Sequence, residues 1–318
     1  MTKKINTKLH SSIVGTLLTL SIIAGSTSGA QNLQKGHDTT AISSHGDYLN
    51  ILTGKIEYTL PGITSRNIWA LTNKPITVSG KTLSERAVVM NGITYLPMRA
   101  VANALGNATV TYDKSTRTAT LKMPGLYLTA TDGGFVTYAN DRPLFSFSPN
   151  VLMSNGKMYI PATALTKALG VNFTEEKNGS IAIKGSYRAL TPASSYYRED
   201  EVYWLAKIIN AESNGESLIG KIAVGDVIMN RVNSPLYPNT IYSVIFDRKY
   251  GVQFSPVLDG SIYATPGYTS ILAAKICLEG TSLSDNALFF LNPVTAESSW
   301  IINNREYAYT IGGHDFYL

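Results

Sequence analysis

Two carboxylic acids, Glu212 and Glu216, flank an Asn214-Gly215 pair in the stretch IINAESNGES (208–217). A carboxyl group transfers protons near neutral pH when its surroundings disfavour its charge, and paired carboxyls are what acetal cleavage commonly uses. The two glutamates differ in setting. Trp204, Ile208 and Glu212 recur at helical spacing beside a second stripe of Val202, Leu205 and Ile209, so Glu212 prolongs an apolar face. Asn214-Gly215 is a helix stop. Partial burial and the negative end of the helix dipole therefore both push the Glu212 pKa up, as a general acid requires. Glu216 lies past the break, at the start of a second helix over SLIGKIAVGDVIMNRV (217–232). The positive dipole end there keeps it ionised, in the place of a capping or helix-start residue.

The other chemistries are tested by inventory. His10, His37 and His45 lie near the N-terminus, which leaves His314 as the imidazole of the last third of the chain. A zinc site of several histidines is excluded there, and a Ser-His-Asp triad would have to use His314. The single cysteine, Cys277, rules out an intrachain disulfide. It sits in SILAAKICLEG, which reads as an amphipathic helix with the thiol as a small core hydrophobe. A Cys277/His314 pair, as in a wall peptidase or amidase, is the alternative chemistry, against which stands the lack of an electropositive setting. No glycine-rich phosphate loop or compact basic-aromatic patch is present, so neither a cofactor nor nucleic acid is expected. What remains is carboxylate chemistry with neutral polar partners, which suits glycosidic bonds.

The elements that must position these groups follow from the rest of the chain. With 318 residues, 44% of them hydrophobic, it is long enough for two or three domains. Lys3, Lys4 and Lys8 precede the apolar run SSIVGTLLTLSIIAG and the small residues Ser28 and Ala30. Residues 1–30 thus read as a secretory signal cleaved after Ala30, too short and interrupted to remain as an anchor. No later stretch is apolar enough to span a bilayer, so a protein soluble outside the cytoplasmic membrane is expected. Residues 201–318 hold 7 Lys+Arg against 11 Asp+Glu, a net −4, whereas residues 31–200 carry a net +6. Such an excess is either solvated surface or an attraction to an anionic partner, for which a cell wall and nucleic acid both qualify; secretion argues for anionic wall polymers. Residues 31–75 are polar, with short strands expected near LNILTGKIEYTL.

A repeat follows. NGITYLPMRAVANALG (91–106) recurs as NGKMYIPATALTKALG (155–170) at an offset of 64. Each copy predicts an Asn-Gly turn between strands, Pro97 or Pro161 at the first helical position, a short helix, Gly106 or Gly170 closing it, and a hairpin. The pattern resembles the small domain named for the N-terminal domain of copper amine oxidases, over residues 76–186. This stretch contains no histidine, so no imidazole copper site is expected, and a structural or binding role is the default. Residues 187–199 read as a linker. The fold class expected is multidomain α+β, with a β-rich stalk of two strand-helix-hairpin repeats followed by an α-rich domain over 200–318.

That last domain resembles the SleB-like cell wall hydrolases, whose best-known members are spore cortex-lytic enzymes. The matching motifs, in order, are NAESNGE (210–216), GKIAVGDVIMNRVNSPLYPNTIYSVIF (220–246), QFSPVLDGSIY (253–263), ALFFLNP (287–293) and SSWI followed by IGGHDFY. The resemblance implies a lysozyme-like fold, peptidoglycan glycan strands as substrate, lytic transglycosylase action in the wall or spore cortex, and Glu212 as the catalytic acid. Glu216, Gln253, Ser255, Asn292 and Trp300 are candidate substrate-binding residues, and His314 is a rim or fold-holding residue. The sequence departs from the family pattern at Ser213-Asn214, at Ser217 in place of a frequent Pro, and at Gly225-Asp226 in place of two small apolar residues. Asp226 and Asp259 are the candidate second carboxylates if the enzyme hydrolyses. The competing function is a non-catalytic wall-binding protein with a degenerate lysozyme-like domain.

Overall fold

The computed structural model describes residues 72–90, 92–146, 151–249, 251–283, 286–296 and 298–318. The signal-like segment, the strands expected near residues 49–60 and Asn91 of the first repeat lie outside the described residues.

The first half is β-rich. β1 (Thr72–Val78), β2 (Lys81–Met90) and β3 (Ile93–Pro97) pair antiparallel in succession. Helix α1 (Met98–Leu105) leads into an antiparallel meander of β4 (Thr109–Asp113), β5 (Thr118–Met123), β6 (Leu126–Thr131), β7 (Val136–Ala139) and β8 (Arg142–Phe145). The chain then returns to the first sheet through β9 (Leu152–Ser154), β10 (Lys157–Pro161), α2 (Ala162–Leu169), β11 (Asn172–Glu175) and β12 (Ile181–Lys184). That seven-stranded sheet has the order β11-β12-β1-β2-β3-β10-β9, with β1 and β12 parallel. Ile76, Leu96, Met98, Leu121, Leu128, Ile160, Leu165 and Ile181 are fully buried in one shared core. Strand-period alternation and helical spacing bring them to the same side.

The repeat has a physical meaning in the sheet. β3 and β10 pair antiparallel with Leu96 opposite Ile160, its own equivalent at the offset of 64. The two copies therefore meet about a local two-fold axis through that pair. Their hairpins then part: β4 and β5 open the five-stranded sheet, whereas β11 and β12 close the seven-stranded one. Pro97 and Pro161 stand at the N-cap, with extended ψ of 107° and 132°, one place before the position expected. Gly170 ends α2 in the left-handed conformation at φ 65°. Any Cβ there would lie 2.3 Å from the Arg188 carbonyl oxygen, so glycine is required on both counts.

The stretch 187–199, expected as a linker, is docked along its length. Arg188 and Leu190 donate their N–H groups to the carbonyls of Leu169 and Ala168, and the Tyr187 hydroxyl donates to Pro124. A short helix, α3 (Ala193–Tyr196), follows.

The second half is helical. α4 (Glu199–Ser213), α5 (Leu218–Asn233), α6 (Ile241–Ile245), α7 (Ser255–Asp259) and α8 (Tyr268–Leu278) surround a core of Leu205, Ile208, Ile209, Ile222, Val224, Val227, Ile228, Leu272 and Ile276. α8, expected as amphipathic, is instead buried on most sides, with Ser270, Leu272, Ala273, Ala274, Ile276 and Cys277 all inside. Gly225 of α5 lets the helices close up: a Cβ there would lie 2.6 Å from Cys277 Sγ and 2.9 Å from Ile209 Cδ1. The chain ends in α9 (Trp300–Asn304) and a three-stranded antiparallel sheet of β13 (Phe289–Leu291), β14 (Tyr307–Ile311) and β15 (His314–Tyr317). No helix among the described residues is long and apolar enough to cross a membrane.

The two halves share an interface. Val136, Tyr138 and Phe145 of the meander pack into the helical core, and Arg142 of β8 reaches the carboxylate of Glu279 just beyond α8.

Candidate active site

Glu212 occupies the last turn of α4, and three polar side chains of that helix fix where the turn sits. Lys207 donates to the carbonyls of Tyr263 and Ala264 at 2.7 and 2.9 Å. Asn210 Oδ1 accepts from the Gly267 N–H at 3.0 Å and the Ser270 hydroxyl at 3.2 Å. The Ser213 hydroxyl donates back to Ile209 at 2.5 Å. Each bond satisfies a buried polar group, so the helix has one well-defined seat. The helix ends at Ser213, where the Asn-Gly stop places it.

The end of that helix is not the bare negative pole that the sequence implies. Lys221 of α5, 2% exposed, donates its ammonium to the carbonyls of Ser213 and Asn214. A cation on the terminal carbonyls offsets the dipole. What raises the Glu212 pKa, to about 7, is burial first and the charge of Asp259 second, with the Arg231 guanidinium pulling the other way. A carboxyl poised there is protonated often enough to act as an acid and ionised often enough to act as a base.

Glu216 does something different from what was expected. The N-cap of α5 is Ser217, whose hydroxyl accepts from the Gly220 N–H, which gives a reason for Ser at this position. Glu216 instead reaches across to the β14–β15 turn: Oε1 accepts from the Gly313 N–H at 3.1 Å and stands 3.6 Å from His314 Nδ1. Gly312 makes room for it, with φ at 59° and a Cβ position only 1.8 Å from Glu216 Oε2. Burial lowers the His314 pKa, against the pull of Glu216 and Asp315. His314 is thus a neighbour of the Glu216 tether, in keeping with a rim or fold-holding place.

An open cleft of about 1510 Å³ runs past these groups. Of the residues expected at the site, it brings together Glu212, Glu216, Gln253, Ser255, Asn292, Trp300 and His314. Gln253 Nε2 donates to the Gly251 carbonyl and Asn292 Oδ1 accepts from the Val294 N–H, so each of these amides keeps polar capacity for a ligand. Trp300 is 51% exposed and is backed by Phe289 and Arg305. It is a surface ring on the cleft wall.

Two expected carboxylates fall elsewhere. Asp226 does not line the cleft. It is 1% exposed and accepts from the Leu283 N–H at 2.5 Å, a buried anchor for the chain beyond α8 rather than an exposed charge or a second acid. Its neighbour Cys277 is buried, and burial followed by the Asp226 charge drives the thiol pKa well up, the reverse of an activated nucleophile. Asp259 also lies outside the cleft lining. It accepts from the Ser261 N–H at 2.7 Å, which with the Ser261 hydroxyl holds it below its ordinary range, and it acts on Glu212 only through its field.

The cleft also holds charged and phenolic side chains to which the sequence assigns no role: Arg231, Tyr237, Asp247, Lys249 and Arg305. Arg231 carried a readable signal, because Val224, Ile228 and Arg231 recur at helical spacing and the arginine prolongs a buried stripe as Glu212 does. No group of three or more His, Cys, Asp or Glu side chains among the described residues could hold a metal ion.

Comparison with known proteins matches residues 215–317, beginning just after Glu212, to the Cell Wall Hydrolase family, and residues 77–183 to the Copper amine oxidase N-terminal domain. A spore cortex-lytic enzyme of Bacillus cereus is 33% identical over 208 residues, which cover 62% of this chain and 79% of that protein. The spore cortex-lytic enzyme of Bacillus subtilis (strain 168) is 38% identical over 120 residues, covering 38% of each chain. The solved catalytic domain of the germination-specific lytic transglycosylase SleB from Bacillus anthracis is 38% identical and is covered in full by 40% of this chain, with a TM-score of 0.36. The sequence likeness extends through most of a full-length relative, and the chain belongs to the SleB-like cell wall hydrolases, the family of the spore cortex-lytic enzymes.

Proposed function

We propose that the protein is a secreted lytic transglycosylase that cleaves peptidoglycan between N-acetylmuramic acid and N-acetylglucosamine. The observation that carries this reading is a single carboxyl, Glu212, held near neutral in an open cleft whose other lining groups include neutral amides and an exposed tryptophan. Glu212 gives its proton to the glycosidic oxygen as the bond from muramic C1 breaks. The resulting carboxylate then takes the proton of the muramic 6-hydroxyl as that oxygen bonds to C1, which closes a 1,6-anhydro ring and restores Glu212. One carboxyl serves both steps because they occur in sequence, whereas hydrolysis commonly needs a second carboxylate to activate water.

Asp226 and Asp259 lie outside the cleft lining, which favours the one-carboxyl route. Asp247, which lines it, is the group to which hydrolysis would fall. Gln253, Ser255 and Asn292 would hold acetamido and hydroxyl groups, and Trp300 would stack on a sugar ring. Glu216 would act on substrate through the turn it fixes. The net positive charge of residues 31–200 would bring the β-rich half to anionic wall polymers, and the signal-like residues 1–30 support export.

Purified glycan strands digested by the full chain and read by mass spectrometry test this directly. Anhydro-muramic ends are the expected product. Free reducing ends would transfer the reaction to hydrolysis with Asp247, and no cleavage at all would leave the non-catalytic binding protein.

A further inference from the structure

Arg231 sits in the last turn of α5, 4% exposed, on the wall of the cleft that Glu212 also lines. Its Nε donates to the Leu288 carbonyl at 2.8 Å, and the guanidinium lies 4.9 Å from the Tyr237 ring, 5.1 Å from Phe254 and 5.4 Å from Phe289. Among the described residues, no carboxylate lies within ion-pair distance of it, and its buried Nη1 has no hydrogen-bond partner. A desolvated cation with a bond unmade is costly. Contacts with ring faces return only part of that. A cation kept purely for packing would be closed off by a partner; this one, buried in the wall of the cleft that Glu212 also lines, keeps a donor unmatched.

We propose that Arg231 is a positioning residue for the reaction, holding the negative charge that appears on the Glu212 carboxylate once its proton has gone to the glycosidic oxygen. The inference rests on Glu212 as the proton carrier. Between the two proton transfers the carboxylate stands desolvated opposite a sugar carbon of growing positive charge, and a permanent cation nearby keeps it from retaking the proton early. An arginine suits this because it stays charged where a buried lysine would readily lose its proton. The charged and titratable groups that reach Arg231 are Tyr237, Asp247 and Glu212, and those that reach Glu212 are Asp259 and Arg231. Asp247 acts on Arg231 but not on Glu212, and Arg231 keeps its charge with or without it.

The test is the pH dependence of kcat and kcat/KM on glycan strands for wild type, Arg231→Met, Arg231→Gln and Arg231→Lys, with carbon-13 titration of the Glu212 carboxyl in the same proteins. Arg231→Met should move the alkaline limb of kcat/KM upward by about one pH unit and lower the plateau kcat about 10- to 100-fold with little change in KM. Arg231→Lys should recover part of both. Should Arg231→Met not fold, Arg231→Gln, which is neutral and can still donate to the Leu288 carbonyl, takes its place with the same expectation. A limb and a carboxyl titration that stay in place in the neutral variant, or a loss confined to KM, overturn the assignment. Full activity in Glu212→Gln would instead remove the proton-carrier reading on which it rests.

Discussion

Arg142 of β8 and Glu279 beyond α8 form a two-point ion pair across the two halves of the molecule, Nε to Oε1 at 2.7 Å and Nη2 to Oε2 at 2.8 Å, with side chains 4% and 2% exposed. The carboxylate also takes the Lys167 ammonium at 2.8 Å and the Tyr197 hydroxyl at 2.5 Å, while Arg142 stacks 3.2 Å over the Tyr196 ring. Burial pushes the Glu279 pKa up, but these bonds outweigh it and hold it below its ordinary 4.5. Removing one member strands a buried charge, so Glu279→Ala should destabilise the protein by roughly 3–5 kcal/mol and split a single melting transition into two. Because the folded pKa is depressed, this stabilisation is present above about pH 4.5 and is lost as pH falls through the folded value. Calorimetry at pH 7 and pH 3 checks both statements; one unchanged transition in the variant would contradict them.

Glu212 has the opposite sign. Its pKa of about 7 lies above the ordinary 4.5, so the folded state binds its proton more tightly than the unfolded chain does. The stabilisation is full below pH 4.5 and disappears as pH rises through 7. Glu212→Gln, a neutral mimic, should match wild type at pH 4.5 and exceed it by roughly 2–3 kcal/mol at pH 8. Urea unfolding at the two pH values measures this, and an equal difference at both would show that the acid is not strained in the fold.

How much of this was legible in the sequence varies from residue to residue for physical reasons. The partly apolar setting of Glu212 at a helix end is legible because the apolar stripe and the Asn-Gly stop are local facts, whereas the Asp259 and Arg231 charges that act on it come from elsewhere in the chain. The repeat was visible for the same reason, and its two-fold pairing at Leu96 and Ile160 is its three-dimensional expression. The sequence places Glu216 at a helix start because the partner it has, the Gly313 N–H, lies 97 residues away. Lys221 on the end of α4 and the burial of Asp226 against Leu283 are likewise tertiary. Periodicity reports which face is buried, not which group meets it. The composition of 187–199 suggests a linker because the backbone hydrogen bonds of Arg188, Leu190 and Ala193 leave no mark in it.

Gly312 and Glu216 make a further prediction. Ala at 312 must adopt φ near 59° and place its methyl group where the Glu216 carboxylate now lies. The backbone alone costs about 1–2 kcal/mol, and the carboxylate must leave the Gly313 N–H. Gly312→Ala should therefore lower Tm modestly and kcat/KM disproportionately. A normal rate at lowered stability would show that the tether does not serve the site.

Gly225 supports a packing prediction of another kind. A methyl group there meets Cys277 Sγ at 2.6 Å and Ile209 Cδ1 at 2.9 Å, so Gly225→Ala should cost about 1–3 kcal/mol by overpacking. The Gly225→Ala/Cys277→Ala pair should recover part of that, as a double-mutant cycle on Tm will report. Additive losses would mean that the two residues do not share the space.

In the proposed mechanism one carboxyl, Glu212, carries the proton in both halves of the cleavage. Initial rates on purified glycan strands, for wild type and a Glu212→Gln variant shown by circular dichroism to be folded, test it most directly. Loss of the general acid and base predicts a fall of roughly 10²–10⁴-fold or more, with no anhydro-muramic product above background. A variant that still releases that product within about tenfold of the wild-type rate would show that another group carries the proton.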